Sequence, residues 1–215
     1  MIWLLNTIRL HKDGSAIAVL ALSCLASWGQ AEAKFAAAQL ENSKELRQYS
    51  WKTRTEVWKD GESKSVQVSV IQFAADGTLH PTQISSTQAA VPSGGIKGLI
   101  AKKKKEELVL ITNGLSILAK SYASLPSGKL ERFMRTATVK PEVTTAQQLV
   151  AIHGVDVLEP GDSMTIWVDA MTRRQIRVQI QTSFDHKPVK IVSEFKDLPN
   201  GPNYAARTVI EHSAE

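Results

Sequence analysis

Hydrophobic and polar positions alternate most clearly in the last third of the chain. Such a period of two is typical of strands with one buried face. The positions that share the buried face in two successive segments are Met164, Ile166, Val168, Ile176, Val178, Ile180, Thr182 and Phe184. Short turns separate the segments, which predicts antiparallel neighbours in a sheet covered on one side. The predicted strands span residues 149–158, 164–168, 176–184, 189–195 and 204–211.

A different spacing earlier in the chain predicts helices. Residues 34–48 are rich in Ala, Leu and Glu and contain neither Gly nor Pro. Between Leu108 and Tyr122, apolar residues recur three and four positions apart, which places them on one side of a helix. The pair Asn113-Gly114 is expected to split or kink this helix. A shorter helix is predicted to begin at Pro126 and Ser127 and to end at Arg135.

The region between the first two helices has the pattern of short strands. Residues 49–59 and 65–74 are predicted strands joined by an Asp60-Gly61 hairpin turn. The alternation slips at Ile71, which indicates a bulge or a bend. A second Asp-Gly pair at positions 76 and 77 opens a third strand that reaches Ile84. Residues 85–98 are small, polar and contain Gly and Pro, so they are predicted to form a loop.

The order helix, strands, helix pair and strand meander predicts an α+β domain. A curved antiparallel β-sheet, an unclosed barrel packed on the helices, would bury each apolar stripe. No repeat and no long linker divides the chain. We therefore expect one domain over residues 34–215.

The first 33 residues resemble a secretory signal peptide. Arg9, His11 and Lys12 precede an apolar run over residues 16–28, and Ala31-Glu32-Ala33 is a typical cleavage boundary. Cleavage after Ala33 predicts a periplasmic or otherwise exported protein without cysteine. Two alternatives are a retained anchor and lipidation of Cys24, whose preceding residues have a weak likeness to a bacterial lipobox.

Composition and charge limit the classes of function that we expect for the protein. The chain has 215 residues, of which 43% are hydrophobic and 22% charged, with a net charge of +5. Four lysines at positions 102–105 precede Glu106 and Glu107. We interpret this run as a solvated helix face with internal ion pairs, the alternative being contact with anionic lipid headgroups. The basic residues are otherwise scattered, so no nucleic-acid partner is expected.

The residues from Gly161 to Val178 carry a resemblance to a known family. The segments Gly161-Asp162-Ser163-Met164-Thr165-Ile166-Trp167-Val168-Asp169 and Thr172-Arg173-Arg174-Gln175-Ile176-Arg177-Val178 resemble the late strands of the LolA-like superfamily. That group includes outer-membrane lipoprotein carriers and periplasmic regulators. The resemblance implies an unclosed β-barrel with a helical lid around an apolar cavity, which in carriers receives lipoprotein acyl chains.

Apolar residues of the long helix and of the meander are the candidates for lining such a cavity. The same side chains would also suit an ordinary filled core. The candidate ligand-binding residues are Leu108, Ile111, Leu115, Leu118, Met164, Ile166, Val178 and Ile180.

Sequence motifs for catalysis or metal binding are not found. No two of the five histidines lie four residues apart, and the hydrolase, zinc-protease and phosphate-loop motifs are absent. His153 is a candidate lone polar group on the covered side of the sheet. Asp156, Asp162 and Asp169 lack the spacing of a calcium loop, and Asp169 with Thr172 is better explained as a turn. We expect no cofactor and no metal.

These features predict a non-enzymatic protein of the cell envelope that binds a hydrophobic ligand or a lipidated protein. The alternative is a protein-interaction or regulatory module with a filled core and an envelope protein as its partner. Peripheral membrane contact fits either hypothesis. An enzyme would require a His and Asp constellation that only the fold assembles.

Overall fold

The α+β class is confirmed in the computed structural model, which describes residues 28–74, 78–88, 95–143 and 148–212. Helices precede and separate two groups of strands. The helices of the described residues are α1 (Trp28–Leu46), α2 (Gly95–Ala123) and α3 (Ser127–Thr136). The strands are β1 (Trp51–Lys59), β2 (Glu62–Phe73), β3 (Leu79–Gln88), β4 (Thr138–Val143), β5 (Gln148–Val155), β6 (Ser163–Asp169), β7 (Gln175–Phe184), β8 (Lys187–Asp197) and β9 (Asn203–His212).

The predicted meander forms a six-stranded antiparallel sheet in which β4 to β9 lie in sequence order. Met164 pairs with Ile180 across β6 and β7, and both side chains are buried. The β7–β8 turn at Asp185-His186 has φ angles of 51° and 60°. Two left-handed residues are typical of the two-residue hairpin turn whose twist matches that of the strands. The predicted alternation and this predicted turn are confirmed.

The first three strands form a separate antiparallel sheet, so the single curved sheet expected from the sequence is wrong in the described residues. The chain leaves β3, the last strand of this sheet, to form α2 and α3, and it returns as β4, the first strand of the six-stranded sheet. The Asp60-Gly61 turn is confirmed, with φ angles of 55° and 79°. Register shifts lie at Val57/Trp58 and Val68/Ser69, close to the slip predicted at Ile71.

The predicted loop over residues 85–98 is wrong at both ends. Residues 85–88 continue β3, and residues 95–98 are the first turn of α2. Small polar residues can pair there because β3 is an edge strand whose described side chains, from His80 to Thr87, are all exposed. The central residues 89–94, like the predicted Asp76-Gly77 turn, lie outside the described residues.

The edge strand β4 was not predicted. Of its six residues only Val139 is half-buried and the others are exposed. The strand therefore has no apolar alternation, and its Pro141 is typical of a sheet edge. Helix α1 begins at Trp28 and includes the predicted cleavage boundary after Ala33. Residues 1–27, with most of the predicted signal peptide and Cys24, lie outside the described residues.

Helix α2 is continuous through Asn113-Gly114, so the predicted break is wrong. A Cβ atom on Gly114 would lie 2.2 Å from Cζ of Phe184 in β7. Glycine is therefore required for the close approach of the helix to the sheet, which outweighs its low helix propensity.

No single described helix is long and apolar enough to cross a membrane. The helical segments Gly98–Ala123 and Gly128–Thr136 meet the length and hydropathy criteria for a membrane span only when they are counted together. They are bent by 68° at their junction.

Replacement of Gly114 tests the contact between α2 and β7. We expect Gly114→Ala to lower the free energy of unfolding by about 1–3 kcal/mol, because the added methyl group displaces Phe184. Urea-induced unfolding measures the loss. The matched control is Gly128→Ala in α3, where a Cβ meets nothing within 4 Å; it should be neutral or stabilising. Equal stability of the two variants would contradict the proposed role of Gly114.

Candidate functional site

The structure gathers seven of the eight predicted ligand-binding residues in one apolar interior. Leu115, Met164, Ile166 and Ile180 are buried members of the main hydrophobic cluster. The half-buried residues packed against this cluster include Ile111, Leu118 and Val178. Leu108 is half-buried and lies outside the cluster. The prediction that the long helix and the meander share an interior is thus confirmed.

Large side chains and close backbone contacts occupy this interior. Leu115 and Met164 each retain 2% of their exposed area and Phe133 of α3 retains 3%. A Cβ on Gly154 of β5 would lie 2.7 Å from the Phe133 ring, so α3 sits directly on the sheet. Further members of the cluster that were not among the predicted site residues are Phe35, Tyr122, Phe133, Ile152, Val157, Val168, Val189 and Ile191.

A buried hydrogen-bond network joins α2 to the turn before β6. The Asp162 carboxylate accepts the backbone N–H groups of Leu158 and Glu159 at 2.9 Å each, together with the N–H of Val157. The Tyr122 hydroxyl donates to the same carboxylate and lies 3.1 Å from Oγ1 of Thr182. Four donors satisfy this buried charge, which gives Asp162 a structural role rather than that of a free base.

The network shifts the pKa values of Asp162 and Tyr122 in opposite directions. Burial alone would raise the pKa of Asp162, but the hydrogen bonds from the Glu159 N–H, the Tyr122 hydroxyl and the remaining N–H groups hold it below its usual value. Burial, assisted by the hydrogen bond to Asp162, raises the pKa of Tyr122. Tyr122 therefore remains a neutral donor and Asp162 an ionised acceptor at neutral pH.

A polar groove of about 570 Å³ lies beside this network. Its walls come from the turn before β6 and from the ends of β7, β8 and β9. The groove includes the ion pair between Lys190 and Glu211, whose Nζ and Oε2 atoms are 3.7 Å apart. None of the eight predicted ligand-binding residues lines this groove, so it is distinct from the apolar interior.

The other polar candidates from the sequence occupy exposed or turn positions. His153 is exposed, with Nδ1 2.9 Å from Oγ1 of Thr165, so it does not face the covered side. Asp169 accepts the N–H groups of Met171 and Thr172, which confirms the predicted turn. Asp156 accepts the N–H of Gly161 at 2.7 Å. Among the described residues, no three His, Cys, Asp or Glu side chains converge as metal ligands.

A second apolar face of α2 remains exposed. Ile96, Leu99, Leu110 and Ile117, here named the outer stripe, have between 65% and 78% of their area exposed. Leu99, Leu110 and Ile117 lie within about 20° of one another around a helix of 3.6 residues per turn. Leu115, at the centre of the buried face, points about 140–160° away. The helix thus has one face in the core and another in solvent.

Sequence reasoning missed the outer stripe for two reasons. Ile96 belonged to the predicted loop, and charged residues interrupt the apolar spacing between Leu99 and Leu110. The spacing of these residues is the signal that could have found it. Leu110 follows Leu99 by 11 residues and Ile117 follows Leu110 by 7, and both spacings place the residues on the same side of a helix.

The four lysines beside the outer stripe are exposed. The predicted ion pairing is confirmed for Lys102 and Glu106, whose charged atoms are 4.0 Å apart. Both side chains are largely exposed, so the pair contributes little to stability. Lys103, Lys104 and Lys105 make no ion pair with another described residue. They leave a concentration of positive charge on the first half of α2.

No protein-family model, curated protein or solved structure matches the chain. The resemblance to the LolA-like superfamily therefore stays a prediction.

Replacement of Asp162 tests the buried network. Because its pKa is lowered in the folded state, the carboxylate stabilises the fold above the unfolded pKa of about 4. This contribution is lost as the pH falls through the lowered folded pKa. We expect Asp162→Asn to cost about 1–3 kcal/mol at pH 7 and to flatten the acid limb of the stability profile.

Chemical denaturation at pH values from about 2 to about 7 measures this effect. The range extends about two units below and about three units above the ordinary carboxyl pKa. The control is Asp60→Asn, which keeps a favourable Asn-Gly hairpin turn and should retain the wild-type profile. An unchanged acid limb in Asp162→Asn would show that other carboxylates determine the acid sensitivity.

Proposed function

We propose that the protein is a non-enzymatic binding protein of the cell envelope, which contacts an apolar and negatively charged partner surface through the exposed face of α2. The outer stripe is the observation that carries this proposal, because four large aliphatic side chains remain in solvent on a helix whose opposite face is buried. Exposed apolar side chains with polar residues around them are typical of interaction sites.

Burial of the outer stripe supplies the driving force for binding. Transfer of one Leu or Ile side chain from water to an apolar environment is worth about 1.5–3 kcal/mol. Leu110 and Ile117 lie on one side of the helix with no charged residue between them in the sequence, so a single partner surface can cover both. Helix α2 is already formed and anchored at Leu115, which reduces the ordering cost of binding.

The charge beside the outer stripe supports a negatively charged partner. Between residues 95 and 107, five lysines and two glutamates give a local net charge of +3. Positive charge at the rim of an apolar surface steers an oppositely charged partner and selects against a basic one. The predicted signal peptide supports a location outside the cytoplasm for this contact.

The filled core supports surface binding over carriage of an internal ligand. A lipid chain between the helices and the sheet would have to displace Leu115, Met164 and Phe133, each of which keeps 3% or less of its exposed area. Hydrophobic-ligand or lipoprotein binding in an unclosed, LolA-like barrel remains the second candidate. The observation that favours it is the shared apolar interior of α2, α3 and the meander.

Photo-crosslinking in the cells that make the protein tests surface binding. We expect a photoreactive residue at position 110 or 117 to form adducts with a macromolecule, either a protein or a lipid. The matched control is position 123, which is exposed on α2 and lies about a third of a turn from Ile117. Absence of adducts at positions 110 and 117, or equal labelling at position 123, would contradict the proposal.

Mass spectrometry of the protein purified from its own cells separates the two candidates. We expect the native mass to equal the denatured mass, because the core holds no guest. A lipid that is present only in the native spectrum would instead support internal ligand carriage. The denatured mass also tests cleavage after Ala33 and acylation of Cys24.

A further inference from the structure

We propose that the first three turns of α2 bind the surface of an anionic lipid bilayer. These residues, 95–105, are here named the α2 tip. The inference rests on the proposed function and identifies the negatively charged surface that meets Ile96 and Leu99, the amino-terminal part of the outer stripe, as phospholipid. Three features of α2 support the proposal: an apolar end, a ring of lysines and a rigid attachment to the core.

The α2 tip lies far from the part of the helix that packs in the core. Leu115 is the first fully buried residue of α2. A rise of 1.5 Å per residue places Gly95 about 30 Å from Leu115 along the helix axis. Ile96, Leu99 and Ile100 are between 52% and 78% exposed. The tip therefore extends beyond the core and presents apolar side chains at its end.

The lysines follow these apolar residues in the next turn of the helix. Successive residues are about 100° apart, so Lys102, Lys103, Lys104 and Lys105 point in four directions and form a ring around the axis. The ring lies about 8 Å behind the centre of the apolar residues, calculated from the helical rise. Ile96, Leu99 and Ile100 can thus enter the lipid interface while the ammonium groups meet the phosphates.

Two further charges agree with this orientation. Glu106 and Glu107 come directly behind the lysine ring, on the side away from the proposed membrane. The amino-terminal end of a helix carries a partial positive charge, which favours a negatively charged surface at the α2 tip. Both features distribute positive charge toward the membrane and negative charge away from it.

The ring arrangement favours a bilayer over an acidic groove on another protein. A groove usually receives one helix face with apolar residues at positions i, i+3, i+4 and i+7. Counted from Leu99, those positions hold Lys102, Lys103 and Glu106, so a groove would bury charges. A bilayer surface surrounds the helix end and offers phosphates to all four lysines.

Vesicle flotation with the purified mature protein tests the inference. The vesicles contain phosphatidylcholine with or without phosphatidylglycerol. We expect binding to the anionic vesicles to be at least about tenfold tighter than to neutral vesicles, and to weaken as salt screens the lysines. Equal binding to both vesicles, or none to either, would overturn the inference.

Two pairs of matched variants locate the contact. Replacement of the four lysines at positions 102–105 by Gln should weaken binding by at least about tenfold. The control replaces the exposed Lys52, Lys59, Lys140 and Lys196 by Gln, which removes the same charge elsewhere and should change binding less than about twofold. Leu99→Asn with Ile100→Asn should also weaken binding, whereas Ile117→Asn should not. An equal loss in either control would overturn the assignment to the α2 tip.

The outcomes distinguish this inference from the proposed function. Protein adducts at positions 110 and 117 without vesicle binding would overturn the membrane inference and leave surface binding supported. Loss of both adducts and vesicle binding would contradict both. None of the described residues of the α2 tip belongs to the main hydrophobic cluster or packs against it. Thermal unfolding should therefore be unchanged in every tip variant, which excludes misfolding as the cause of a loss.

Discussion

The close contact between the second half of α2 and the inner face of β6 and β7 determines how the rest of the molecule is arranged. Gly114 allows the helix axis to approach Phe184, and Leu115 then occupies the interior. About two helical turns further on, the Tyr122 hydroxyl reaches Asp162 at the entrance to β6. Apolar burial supplies the attraction, and the buried polar network selects one position of the helix on the sheet.

One-sided burial and local turn chemistry explain which parts of the fold could be predicted. Apolar and polar residues alternate over 164–168 and 176–184 because each strand is covered on one side, and the Asp60-Gly61 turn has a local signature. Edge strand β4 carried no such signal, since Val139 is its only side chain that is not exposed. The continuity of α2 at Gly114 was also unpredictable from local propensity, because the glycine is required by a phenylalanine 70 residues away in the chain.

The outer stripe was not predicted from the sequence, for a different physical reason. Periodicity detects an apolar face but does not say what covers it. The residues at positions 111, 115 and 118 were recognised as one stripe and do pack in the core. Leu110 and Ile117, each adjacent to a residue of that stripe, point about 140–160° away from Leu115 and remain exposed. A helix with two apolar faces therefore needs coordinates to show which face is left for a partner.

A filled core and an exposed helix end are complementary requirements for binding at the α2 tip. If α2 moved freely on the sheet, ordering it against a membrane would cost conformational entropy and weaken the contact. The Tyr122–Asp162 network and the Gly114–Phe184 contact instead hold the helix in one orientation. The sheet then serves as a rigid base, and the energy of burying Ile96, Leu99 and Ile100 remains available for binding. On this argument, loosening the core at Gly114 should weaken membrane binding even though the substituted residue lies far from the lipid.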